Sequence, residues 1–96
     1  MMVLISYDVN TEDVAGKVRL RKIAKICVDY GQRVQNSVFE CLLNPSQLCL
    51  LKKKISDIMD VKKDSIRIYK LGKSYKAKIE TIGVFEGYDE SKALIL

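Results

Sequence analysis

The chain has 96 residues, 48% hydrophobic and 30% charged, with a formal net charge of +5 and a sequence pI near 9.2. That length fits one domain with a modest core, and the composition is not that of a disordered chain. It contains no histidine and three cysteines, Cys27, Cys41 and Cys49, with no CxxC pair. This excludes imidazole-based nucleophilic devices and argues against a structural zinc site, so the cysteines read as reduced filler. No apolar run reaches the roughly 18 residues of a membrane span, and Asp8 arrives too early for a secretory leader; a cytoplasmic protein is expected.

Met2 to Val9 is apolar almost without a break until Asp8, which predicts a strand covered on both faces. Asn10 to Asp13 supplies loop and cap residues. Leu20, Ile23, Ala24 and Cys27 then follow the i, i+3, i+4, i+7 spacing of an amphipathic helix, with Lys17, Arg21 and Lys25 on a second stripe. Gly31 is placed to end that helix. Arg33 to Leu43 reads as two short strands bending near Asn36 and Ser37.

Asn44 followed by Pro45 marks a helix start, and Leu48, Leu51, Ile55, Ile58 and Met59 form its apolar stripe as far as about Asp60. Ser65 to Leu71 is the next strand, Gly72 opens a lysine-rich turn, and Lys78 to Val84 is expected to form one more strand. The order is βαββαβ with an additional C-terminal strand. It predicts an α+β, ferredoxin-like single domain over 1–96, with its core in 1–72 and a strand and tail in 73–96. Two helices cover one face of such a sheet. A first strand buried on both faces therefore asks for a second copy across the open face, and a homodimer is expected, with its last strand exchanged onto the partner sheet as one arrangement.

The positive charge is uneven: residues 14–35 hold six basic residues and one acid, residues 61–78 seven and one, whereas residues 79–96 hold one basic residue and four acids. Such segments suit a polyanion such as nucleic acid, although solubility alone also produces them. Arg19, Arg21 and Arg33 could grip phosphate with paired hydrogen bonds, while Lys17, Lys22 and Lys25 would supply a field; the alternative is a solvated helix face. Lys52 to Lys54 reads as a helix side. Arg67 and Tyr69 share one strand face, but no RNP-like motif accompanies them, so backbone contact fits better than base reading.

Asp8 reads either as a turn residue or as a ligand. If two first strands meet in a dimer, two Asp8 carboxylates converge and need a cation or a shared proton, and hard oxygen ligands suit Mg²⁺ or Mn²⁺. A metal there could activate water against a phosphodiester. Glu12 and Asp13 are capping residues first and metal helpers second. Tyr7 alternates to the opposite face from Asp8 and reads as core, its hydroxyl available to order the interface.

VLISYDV at the N-terminus, RLRKIAKICVDYGQRVQNSVFECLL from Arg19 to Leu43, and DSIRIYKLG from Asp64 to Gly72 together resemble the CRISPR-associated protein two family. The resemblance spans Val3 to Gly72, with GQRVQNSVFE its most specific block, and the first loop and VQNSVFEC are similar to members from type I-C systems. It implies a ferredoxin-like homodimer with Asp8 of each protomer facing the other, and Mg²⁺-dependent cleavage of double-stranded DNA or single-stranded RNA. It also implies a duplex-binding role bridging CRISPR integrase subunits during spacer acquisition. By matching motifs, Tyr7, Asp8, Arg19, Arg21, Arg33, Ser37 and Phe39 fall at positions tied to activity or to shaping the site. Two further readings stay open: a non-catalytic adaptor, and a stand-alone, toxin-like endoribonuclease.

Overall fold

In the computed structural model, residues 1–83 are described. They run β1 (Met2–Asp8), α1 (Val14–Tyr30), β2 (Gln32–Gln35), β3 (Val38–Leu42), α2 (Pro45–Ile58) and β4 (Ser65–Gly72), followed by a 3₁₀ turn at Tyr75–Lys78. The strands form one antiparallel sheet in the order β2-β3-β1-β4, so β1 is central beside β3 and β4 is an edge. This is the ferredoxin-like arrangement expected from the element order.

Local chemistry explains where each helix begins. The Asp13 carboxylate accepts from the Gly16 amide at 2.7 Å and caps α1. At α2, Asn44 Oδ1 accepts from the Gln47 amide at 2.8 Å while Gln47 Oε1 accepts from the Asn44 amide at 2.9 Å, a reciprocal capping box with Pro45 just inside the helix. Gly31 ends α1 in an extended conformation, so handedness is not its reason for being glycine. A Cβ there would run into the Glu40 carbonyl, the Cys41 sulfur and the Cys41 Cα, and the helix could not return so close to β3.

Period-two burial along β1 sorts the sheet into two faces. Val3, Ile5 and Tyr7 point under the helices and join Ile23, Cys27, Phe39, Cys41, Leu48, Leu51 and Ile55 in one core. Each large side chain buried here contributes about 1.5–3 kcal/mol relative to exposure. Burial pushes the Cys27 thiol up to about 12 and the Cys41 thiol to about 11. Both stay protonated and inert, as the reading of filler cysteines requires, while Cys49 is exposed on α2.

Leu4, Ser6 and Asp8 point to the opposite face, which no described residue covers. Leu4 and Ser6 are half-buried there and Asp8 is exposed, so the double covering expected of β1 is not met by the described residues. The strand expected over Lys78 to Val84 is not formed in its described part. Lys78 closes the 3₁₀ turn and donates to the Leu71 carbonyl at 2.9 Å, and Ile79 to Gly83 belongs to no ladder among the described residues. The chain turns at Gly72, whose φ is 76°. Val84 and the tail beyond it lie outside the described residues. No helix among the described residues is long and apolar enough to cross a membrane.

Candidate functional site

The residues singled out from the sequence fall into three places. On the helix side of the sheet, Tyr7, Arg33, Ser37 and Phe39 form one group. The Tyr7 and Phe39 rings stack with centroids 6.0 Å apart, and the Arg33 guanidinium lies 5.2 Å from the Phe39 centroid. The Tyr7 amide donates to the Ser37 carbonyl at 3.0 Å and its hydroxyl to the Asn36 carbonyl at 3.3 Å, so the β2–β3 bend is pinned to the end of β1. Burial holds the Tyr7 phenol above its usual pKa of 10.0, partly offset by the nearby Arg33 charge. Near neutral pH it is a protonated donor that shapes the strand end.

Along α1, Lys17, Arg21 and Lys25 are exposed at four-residue spacing, with Lys22 exposed beside them. Arg19, on the same helix, is engaged elsewhere. Its Nε donates to Asp64 Oδ2 at 2.8 Å and its Nη2 to Asp64 Oδ1 at 3.3 Å, with side-chain exposures of 15% for Arg19 and 0% for Asp64. The same carboxylate accepts from the Asn10 amide at 3.1 Å and the Asp60 amide at 2.9 Å. Asp64 thus ties α1, the β1–α1 turn and the α2–β4 turn together, and the Arg19 guanidinium beside it holds its carboxyl below the usual 3.8. The Asp60-to-Asp64 spacing is the one sequence sign of this clamp. On α2, Lys54 Nζ donates to the Tyr30 hydroxyl at 3.1 Å and Lys53 pairs with Asp57 at 3.8 Å, as befits a solvated helix side.

Asp8 stands apart from both groups. By strand alternation it projects from the uncovered face at the C-terminal end of β1, directly across from Ser65 in the register with β4. Among the described residues no donor or cation engages its carboxylate. Asp13 is engaged elsewhere, capping α1 with Lys63 at 3.8 Å, and the Glu12 amide donates to Asn10 Oδ1 at 3.0 Å. No group of three or more potential metal-ligating side chains occurs among the described residues. At this strand end the described strand residues of the open face offer a divalent cation one carboxylate, Asp8. Mg²⁺ accommodates this, because it binds through one or two carboxylates and fills its shell with water and substrate phosphate.

A small antiparallel α+β domain with an exposed carboxylate at the end of its central strand and a cationic helix on the other side defines the class. The family model for CRISPR associated protein Cas2 matches residues 1–79. The chain is 53% identical over 95 residues to a CRISPR-associated endonuclease Cas2 of Halalkalibacterium halodurans, covering 99% of each. It is 52% identical over 96 residues to a CRISPR-associated endoribonuclease Cas2 of Nitratidesulfovibrio vulgaris, covering 100% of this chain and 94% of that one. Among solved structures, Streptococcus pyogenes Cas2 at pH 6.5 superposes with a TM-score of 0.77 at 58% identity, covering 86% of this chain and 100% of that one. The Thermus thermophilus protein TT1823 gives 0.73 at 31% identity, covering 88% and 92%. The chain belongs to the CRISPR-associated Cas2 family.

Proposed function

We propose that the chain is a metal-dependent phosphodiester endonuclease of CRISPR spacer acquisition, acting on double-stranded DNA or single-stranded RNA as a homodimer. The observation that carries this reading is the exposed Asp8, unengaged among the described residues, on the face of an otherwise apolar strand that none of them covers. Relatives named as endonuclease and endoribonuclease, at about half identity over nearly the whole chain, support the same chemistry.

Asp8 of each of two copies would hold the Mg²⁺, with Mn²⁺ as a substitute, and the ion when bound would polarise the phosphate and lower the pKa of water. Asp8 supplies the negative charge that places the cation, and its position at a strand end leaves the substrate side open. In the hydrolysis one water adds its oxygen to phosphorus, the P–O3′ bond breaks, and the proton passes to the leaving O3′. The products are a 5′ phosphate and a 3′ hydroxyl. Two carboxylates are sparse coordination, which fits slow turnover.

Replacing Asp8 tests this reading. Asp8→Asn is expected to keep the fold and nucleic-acid binding while abolishing Mg²⁺-dependent cleavage of end-labelled duplex DNA and single-stranded RNA. Cleavage retained by the folded variant would refute the assignment. The exposed Lys17, Arg21 and Lys25 row supports a second reading, an adaptor that holds duplex DNA by its backbone between integrase subunits. Absence of cleavage by folded wild type and variant alike, with duplex binding intact in both, would favour it.

A further inference from the structure

The cations of α1 lie behind the sheet, on the far side from Asp8. A phosphate brought to Asp8 therefore needs a positive group on the open face, and the strand registers identify one. Asp8 is opposite Ser65, and the next residue of β1 on that face, Ser6, is opposite Arg67. Ser65, Arg67 and Tyr69 form the exposed row of β4, alternating with the half-buried Ile66 and Ile68 on the helix side. Among the described strand residues of the open face, Arg67 is the cation, and no described carboxylate pairs with it. Its guanidinium lies 5.4 Å from the centroid of the Tyr69 ring, which limits how it can wander.

Along the open face Leu4, Leu42, 56% exposed, and the partly buried Glu40 lie toward one end, and Ser6, Asp8, Ser65 and Arg67, with Val38 opposite Ser6, lie toward the other.

We propose that Arg67, with the Ser65 hydroxyl beside it, binds the nucleic-acid phosphate on which Asp8 acts. Diagonal neighbours on one sheet face are about 7–8 Å apart, within the combined reach of an arginine and a bound phosphate. A guanidinium fork can hold two oxygens of one phosphate, while Ser65 supplies a neutral donor next to the carboxylate. This inference rests on the reading of Asp8 as a nuclease residue, and the experiment is built to separate the two.

Purified wild type, Asp8→Asn, Arg67→Ala and Arg67→Lys would be compared in Mg²⁺-dependent cleavage, in salt-dependent binding of the same labelled duplex and single strand, and in oligomeric state. Arg67→Ala is expected to lower kcat/KM by about tenfold or more. It should also reduce the slope of log affinity against log salt by about one, without altering the oligomer. Arg67→Lys should restore the slope but not the rate, because a point charge lacks the fork. Wild-type rate and slope in Arg67→Ala would overturn the proposal, as would loss of activity through dissociation of the dimer, which would make Arg67 an interface residue. If wild type itself cleaves nothing, the nuclease reading fails, and the salt slope alone decides whether Arg67 binds phosphate: an unchanged slope overturns it.

Discussion

Removing the charge of Asp64 would strand the Arg19 guanidinium beside a carboxamide and weaken its hold on the Asn10 and Asp60 amides. Asp64→Asn is therefore expected to lower Tm at neutral pH by on the order of 10 °C. The pH dependence follows from the direction of the shift. The folded carboxyl titrates below its usual 3.8, so its contribution is fully present above that value and is lost as pH falls through the folded pKa. Melting curves from pH 7 to 2 should show wild type and variant converging only in strong acid; a constant gap would place the ion pair outside the origin of the difference. Beyond the Asp60-to-Asp64 spacing, the sequence does not reveal the role of Asp64, because Arg19 and Asn10 are 45 and 54 residues away along the chain. The exposed place of Asp8 at the end of β1 is legible, because an acid interrupting an apolar strand stands out locally.

Helix α1 shows what a one-dimensional pattern resolves. Its apolar stripe, its cap and its glycine stop follow from spacing and residue type, and β2 and β3 follow from β-prone residues around Asn36 and Ser37. The division of its arginines does not, because Arg19 and Arg21 have the same chemistry and differ only in which neighbour the fold supplies. The structure separates them: Arg21 faces solvent with Lys17 and Lys25, and Arg19 clamps Asp64. Arg21→Ala is expected to weaken nucleic-acid binding on all sequences alike and to reduce the salt slope by about one, with Tm unchanged. Fluorescence anisotropy over a salt series, paired with melting curves, checks this. Arg19→Ala should instead lower Tm, and the reverse pattern would contradict the assignment. The strand expected over Lys78 to Val84 is not formed in its described part of a single chain, where the backbone turns at the positive φ of Gly72 and Lys78 donates back to the Leu71 carbonyl.

At the scale of the molecule, a sheet covered by helices on one side leaves Leu4 and Leu42 facing water on the other. Such a face suits packing against a second copy. Leu42→Glu is expected to yield a folded monomer, read by sedimentation equilibrium beside circular dichroism, and to lose the cleavage that the proposed pairing of two Asp8 side chains requires. A variant that keeps the wild-type mass would exclude this end of the face as the seam. That α1 and Asp8 lie on opposite sides of the sheet required the three-dimensional arrangement, since both belong to one short β-loop-α stretch of sequence.

The turn between them is held at successive points. Asn10 is tied through its amide to Asp64 and through its side chain to the Glu12 amide, Asp13 caps Gly16, and a Cβ on Gly16 would run into the Asn10 carbonyl. A segment fastened this way is ill suited to swing over Asp8 as a gate. In the proposed dimer, control of access to the carboxylate would fall to the rigid-body angle between two copies, so crowding at the seam would act as the on–off element that a mobile loop supplies elsewhere.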